Sequence, residues 1–178
     1  MIVILYASTS GATRTVAQAF SARLGGAVTV DIGGDARVDA MHHGADLLLM
    51  GSPTYGHGDW HHAWSSRFEA LLPVLGSARA IALFGLGDAR FHSDTFCGAL
   101  GRLHDALDQT GLRPIGTSQA GCYPYRSTPS LRQGAFPGFV LDYRQDRRSI
   151  DGRIAEWLLH LRDCRPEPRN DSPPAVAV

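Results

Sequence analysis

The sequence predicts an α/β fold, a parallel sheet with helices packed against both of its faces. Three observations predict it. Short apolar runs recur at regular intervals, and each is continuous rather than alternating, as strands covered on both faces require. Stretches with apolar residues at helical spacing lie between them. At 178 residues the chain has the length of one domain. Strand alternating with helix implies parallel pairing with right-handed crossovers.

The first run covers residues 2–7 and leads into a helix over 13–24, where Val16, Ala17, Phe20 and Leu24 share a face. A weaker run at 27–32 follows, then a loop at 33–39 before a weak helix. The third run, ADLLLMG at 45–51, precedes a helix over 61–72. The fourth, RAIALFG at 79–85, precedes a helix over 93–110. The stretch at 116–138 is rich in Gly, Pro, Ser and Tyr and ends in the apolar FVLDY run. It is too long for a simple connection, so it reads as an insertion interrupting the fifth strand. A last helix over 150–161 carries Ile150, Ile154, Trp157, Leu158 and Leu161 on one face. Residues 165–178 hold four prolines and read as a disordered tail. The domain is expected to span residues 1–164.

Composition excludes several classes. Hydrophobic residues make up 44%, too many for a disordered chain. Basic and acidic residues balance at 17 each, so no global field points to nucleic acid or a membrane surface. All 17 basic residues are arginine, which reads first as a compositional bias. No run approaches the roughly 20 apolar residues of a spanning helix. The N-terminal MIVILYAS lacks the basic segment and cleavage site of an export signal, so a cytoplasmic location is expected. Three cysteines, Cys97, Cys122 and Cys164, with no CxxC spacing, argue against a disulfide framework or a zinc site.

In an open parallel sheet ligands bind beyond the carboxyl ends of the strands, and three such ends stand out. Ser8-Thr9-Ser10-Gly11-Ala12-Thr13 sets four hydroxyls and a glycine at the start of a helix. Helix N-terminal N–H groups lack intrahelical partners and the helix dipole favours an anion, so this loop reads as a phosphate site. One cap would need a single hydroxyl, and a Walker ending is absent. After the third run, Gly51-Ser52-Pro53-Thr54-Tyr55-Gly56-His57-Gly58-Asp59-Trp60 places an aromatic among turn residues, which suits a planar ligand, although a plain turn with a surface tyrosine is the commoner case. After the fourth run, Gly85-Leu86-Gly87-Asp88 allows close backbone approach, and Asp88 has the groups to accept from, or donate its N–H to, a polar ring edge, although GLG alone is a weak signal. Asp94 reads as a helix cap. Trp60 and Trp64 read as helix-packing residues and Cys97 as a small core residue.

Together these loops resemble the flavodoxin family in its long-chain form, over residues 2 to about 161. The family's hydroxyl-rich phosphate loop, S/T-x-T-G-x-T, is matched at Ser8 to Thr13. Its G-x-P-T-aromatic strand end is matched at Gly51-Ser52-Pro53-Thr54-Tyr55, and its F-G-x-G-D at Phe84-Gly85-Leu86-Gly87-Asp88. The run Phe96 to Gly101, the run Phe136 to Asp142 and the closing Ile154-Ala155-Glu156-Trp157 also resemble it. The resemblance implies a flavodoxin-like three-layer sandwich with a five-stranded sheet in the order 2-1-3-4-5 and a fifth strand interrupted by a long loop. It implies FMN as cofactor and a monomeric carrier of single electrons rather than an enzyme. Ser8, Thr9, Ser10, Gly11, Ala12 and Thr13 would wrap the phosphate. Pro53, Thr54, Tyr55, Gly56, His57 and Gly58 would form a second loop, with Tyr55 covering one flavin face and the Gly56–His57 peptide near flavin N5. Gly85, Leu86, Gly87, Asp88 and His92, with Phe96 and Cys97, complete the implied set. The implied donor is an NAD(P)H-dependent flavodoxin reductase or a pyruvate-type oxidoreductase, and the acceptor a redox enzyme.

Three departures stand out. Ala12 takes a position where the family commonly has Asn. His92 aligns with the outer stacking Tyr and offers a smaller surface that can be charged. The loop face, with His57, His61, His62, Arg90 and His92 against Asp59, Asp88 and Asp94, is not acidic. A His- and Arg-lined face predicts a less negative second reduction potential that falls as pH rises through the histidine range, unless these histidines point away into solvent. It also predicts weak salt dependence with a basic reductase, or a different partner. Two other readings compete with a carrier. One is a flavodoxin-like FMN oxidoreductase acting on a quinone, porphyrinogen or NAD(P)H, which needs a substrate pocket over the ring. The other is a binding module that has lost FMN.

Overall fold

The computed structural model describes residues 1–34 and 42–164. The expected weak helix after the 33–39 loop and the expected disordered tail at 165–178 lie outside the described residues.

Strand β1 (Ile2–Tyr6) sits mid-sheet, paired in parallel with β2 (Val28–Asp31) and β3 (Leu47–Pro53). β3 pairs with β4 (Ile81–Gly87). The last lane is shared by two strands. β5 (Pro114–Ile115) pairs with Ile81 and Ala82, and β8 (Phe139–Asp142) pairs with Phe84 to Gly87. The order β2-β1-β3-β4-β5 is the one expected, with the fifth lane interrupted as expected. Between its halves, β6 (Ser118–Gln119) and β7 (Ala135–Phe136) form a small antiparallel pair.

The continuous apolar runs have the physical cause inferred for them. On β1, Val3 and Leu5 join one core cluster while Ile4 and Tyr6 join the other. The first cluster is covered by α2 (His62–Ser77) and α3 (Gly98–Gln109), the second by α1 (Ala12–Arg23) and α5 (Ile150–Asp163), which follows the one-turn α4 (Tyr143–Asp146). Phe20 of α1 is the hub of the second, with ring centroids 5.2 Å from Phe84, 5.3 Å from Phe139 and 5.8 Å from Trp157.

Four boundaries differ from expectation. β3 and β4 both run two residues further, because Ser52 pairs with Gly85 and Pro53 with Leu86 beyond the apolar runs. α2 continues through Pro73 to Ser77. Val74 and Leu75 are buried there, and their burial outweighs the backbone hydrogen bond that proline removes. α3 starts at Gly98, not Ser93. The Ser93 carbonyl accepts from the N–H groups of Arg126 and Ser127, which holds this segment against the insertion instead. Asp94 therefore does not cap α3; its carboxylate pairs with Arg126 at 3.2 Å, and the cap position falls to Cys97.

The insertion is packed onto the core rather than splayed. Phe96 is fully buried and stacks on Tyr125 at 5.3 Å, with Tyr123 and Phe136 around it. The Tyr123 hydroxyl donates to Asp146, which also pairs with Arg153 at 3.3 Å. Burial and that carboxylate push the Tyr123 phenol pKa well up, so it stays protonated.

Candidate functional site

The carboxyl ends of β1, β3, β4 and β8 lie side by side, and the loops leaving them surround a cleft of about 360 Å³. Ala12, Thr54, Tyr55, Asp88, His92 and Tyr143 are among the residues that line it. A larger cavity, about 480 Å³, lies along α5 beside Trp157 and His160.

The loop at 8–13 is shaped before any ligand arrives. Gly11 has φ 90°, a left-handed conformation that costs glycine little, and this turns the chain into α1. Ser8 Oγ accepts from the N–H groups of Gly11 (3.2 Å) and Arg14 (3.4 Å), fastening the loop to the helix start. The N–H groups of Ala12 and Thr13 have no intrahelical acceptor by helix geometry. Thr13 is 1% exposed and its hydroxyl has no hydrogen-bond partner among the described residues. A buried donor left unmatched is costly unless a ligand completes it. The first charged residue, Arg14, is turned to Asp31 at 3.0 Å, so the loop itself is neutral.

Tyr55 and Asp59 close the second loop by exchanging backbone hydrogen bonds, each 2.8 Å. Gly56 within it has φ 46°. Tyr55 is 41% exposed at the cleft, and His57 is exposed. Gly58 is buried against Gly98 and Pro129, which pins this loop to α3. Pro53 and Thr54 continue the strand, the Thr54 N–H donating to Leu86. In the third loop the Asp88 carboxylate accepts from the N–H groups of Arg90 (3.1 Å) and Phe91 (2.8 Å). That carboxylate is therefore engaged in shaping its own turn. Leu86 and Gly87 reach the cleft.

The structure does not bring Gly85, Phe96 or Cys97 into the cleft. Gly85 is packed against Leu100. Phe96 and Cys97 are fully buried, and burial pushes the Cys97 thiol well up, so it stays protonated. His61 is 3% exposed and does not belong to the loop face.

Two residues of the site lie outside the three loops that the sequence singles out, and a third, His61, makes a contact that the sequence does not signal. Asp142, at the end of β8, accepts from the N–H groups of Ala89 (2.9 Å), Arg144 and Gln145, tying the third loop to the last strand. Tyr143 lines the cleft. Both follow the FVL run, and the rule that ligands lie beyond strand ends, applied to that run too, points to them. The third is His61. Its Nδ1 accepts from the Ala63 N–H at 3.1 Å, so the proton sits on Nε2, which donates to Thr9 Oγ1 at 3.0 Å. No spacing in the sequence signals that contact across 52 positions.

The sequence model of a family described as Flavodoxin matches residues 4–157 of this chain. The chain belongs to the flavodoxin family. Its relatives include the flavodoxin of Synechococcus elongatus, 28% identical over 162 residues, covering 90% of this chain and 95% of that protein. A flavodoxin of Klebsiella pneumoniae is 27% identical over 174 residues, covering 93% and 98%. Among solved structures, the flavodoxin of Fusobacterium nucleatum bound to flavin mononucleotide superposes with a TM-score of 0.79 at 23% identity, over 93% of this chain and 98% of that one. That likeness shows the flavodoxin fold.

Within this family member, His61 makes the site pH-sensitive. Burial, then its neighbour His62, lowers its pKa below the usual 6.5, against an opposing pull from Asp31. The folded state thus binds fewer protons at this site than the unfolded chain. Its contribution to stability is full above pH 6.5 and is lost as pH falls through the lowered folded value. His61→Gln supplies one acceptor and one donor without a titrating group. The thermal midpoint of that variant is expected to fall less steeply than wild type between roughly pH 7 and 5. Parallel pH profiles would refute the assignment.

Proposed function

We propose that this chain binds FMN at the cleft and passes single electrons between redox partners. The observation that carries the reading is the Thr13 hydroxyl, buried and unpartnered at the head of α1 inside a loop of hydroxyls. This donor set fits a phosphate monoester. The N–H groups of Ala12 and Thr13, with the Ser8, Thr9, Ser10 and Thr13 hydroxyls, would hold it on the positive end of the helix dipole. Family membership and the FMN-bound Fusobacterium flavodoxin support the same ligand.

FMN, when bound, supplies a ring that accepts and releases electrons one at a time. The chain's own residues set the conditions around it. Tyr55 would form one wall and His92 the other, with Thr54, Gly56, His57, Leu86 and Gly87 bordering the ring and the Gly87–Asp88 backbone meeting its polar edge. Gly56 accepts either orientation of the peptide that follows it. Pro53 and Gly58 fix the second loop, while Gly85, Phe96 and Cys97 support the third from below. Tyr55 and His92 are both exposed, which suits exchange of electrons with a docked protein rather than enclosure of a small substrate. Among the described residues no helix is long and apolar enough to cross a membrane.

The test is reconstitution followed by anaerobic reduction. The purified protein is expected to take up one FMN, turn yellow, and accept electrons in two separate one-electron steps, without turning over quinones or NAD(P)H. A protein that stays colourless with added FMN would overturn the binding reading. Steady turnover of a quinone or NAD(P)H would replace the carrier by an oxidoreductase.

A further inference from the structure

We infer that the rim of the cleft is a docking face for a partner protein whose own contact surface is acidic. The inference deepens the reading above and rests on it for what docking achieves; the contact itself follows from charge and exposure. β4 and β8 end beside one another, Gly87 opposite Asp142, and the segments that follow them stand on the same side of the cleft. Phe91 is 65% exposed there, unusually open for an aromatic side chain. The Arg144 guanidinium lies 4.9 Å from its ring centre and that of Arg90 5.8 Å. Arg147 lies 6.0 Å from the ring centre of Tyr143, a cleft residue. Exposed aromatic rings flanked by arginines are the side chains that interface cores favour.

The charges decide the sign of the partner. The acidic residues of the rim are each matched by an arginine: Asp59 by Arg102 at 2.7 Å, Asp88 by Arg144 at 3.8 Å, Asp94 by Arg126 at 3.2 Å. Asp142 and Asp146 are buried and hold backbone N–H groups, Tyr123 and Arg153. Arg90, Arg147 and Arg148 are exposed and, among the described residues, have no carboxylate within ion-pair distance. Outside this rim the described arginines are engaged: most stand beside a carboxylate, and Arg67 has the Gly34 carbonyl among its partners. The glutamates Glu69 and Glu156 lie on α2 and α5, away from the rim. Among the described residues of a chain neutral as a whole, the arginines with no carboxylate beside them therefore gather at the cleft. Of two concavities there, one of about 440 Å³ between Arg90 and Arg126 presents guanidinium groups to an incoming carboxylate, and one of about 310 Å³ sets Arg90 and Arg144 beside Asp88 and Asp142. Cations interleaved with aspartates match discrete carboxylates on a protein better than a continuous track of phosphates.

The test uses the FMN-loaded protein and dye-labelled octaglutamate and octalysine peptides, read by fluorescence anisotropy at low ionic strength. Octaglutamate is expected to bind, to weaken as salt is added, and to outcompete octalysine. The double variant R90E/R147E is expected to lose about tenfold or more in octaglutamate affinity while its FMN affinity stays within about twofold of wild type, since neither residue borders the ring. Arg90→Gln and Arg147→Gln, which add no new charge, should each give part of that loss with an unchanged fold. Arg162→Glu on α5 should give none. No octaglutamate binding, or an equal loss in Arg162→Glu, would overturn the inference. So would a duplex DNA of matched charge binding more tightly at the same salt. A protein that binds octaglutamate at this face but never takes up FMN would sink the proposed function and leave this surface standing.

Discussion

Thr13→Val is expected to stabilise the FMN-free protein and weaken its hold on FMN at the same time. The two side chains are nearly equal in shape, so the change chiefly deletes a hydroxyl that is buried and unpartnered. Leaving such a group unmatched costs about 1–3 kcal/mol, and removing it should return much of that. For a chain of this length each kcal/mol moves the thermal midpoint by roughly 2–4 °C. A hydrogen bond to a charged phosphate contributes about 1.5–3 kcal/mol, which corresponds to a loss of roughly 10- to 150-fold in FMN affinity. Because a ligand stabilises by RT times the logarithm of one plus its concentration over its Kd, the melting curves of wild type and variant should change order as FMN is added. Calorimetry with and without FMN checks both halves. A variant that melts lower than wild type without FMN, or binds FMN equally well, would show that the Thr13 hydroxyl is satisfied elsewhere.

The second large effect is on stability. Trp64 is fully buried in the cluster under α2 and α3, and its indole N–H donates to the Gly51 carbonyl at 3.1 Å. It therefore fastens the first turn of α2 to the end of β3, next to the loop that carries Tyr55. Trp64→Ala removes the packing and leaves a cavity in close-packed surroundings, for which about 3–5 kcal/mol is the usual cost. That is a large share of the roughly 5–15 kcal/mol that holds a domain together. Denaturant titration should show a lower midpoint with an unchanged slope. Trp64→Phe should lose less, since the Gly51 carbonyl still accepts from the Ala7 N–H at 3.2 Å. A loss below about 1 kcal/mol for Trp64→Ala would mean the site collapses around the deletion.

Much of this fold is written in local pattern. The apolar runs name the strands, the helical stripes name α1, α2, α3 and α5, and the composition of residues 116–138 announces the broken fifth lane. What local pattern misses is decided between segments. Ser52 and Pro53 look like loop residues and become strand because Gly85 and Leu86 lie opposite them. Asp94 has the chemistry of a cap, yet Arg126 from the insertion takes its carboxylate and Ser93 is drawn the same way. Pro73 looks like a helix end, yet buried Val74 and Leu75 carry the helix past it. The loop at 8–13 was legible because its donors are consecutive. The contact between His61 and Thr9 was not, because it exists only once β1 and α2 are side by side. Position in the sequence groups the histidines at the loop face, but burial separates His61 from His57, His62 and His92.

The divided last lane of the sheet also bears on how this chain tolerates change. Its two halves are anchored to different parts of β4 and answer to different neighbours. β5 is held at Ile81 and Ala82, far from the cleft, while β8 is held at Phe84 to Gly87 and carries Asp142 to the third loop. Lengthening or shortening the excursion between them leaves the register of β8 fixed, because that register is set by its own pairing and not by the path the chain took to reach it. The edge of the sheet thus works as an expansion joint: sequence drift in the excursion is absorbed there, before it reaches the groups that face the cleft.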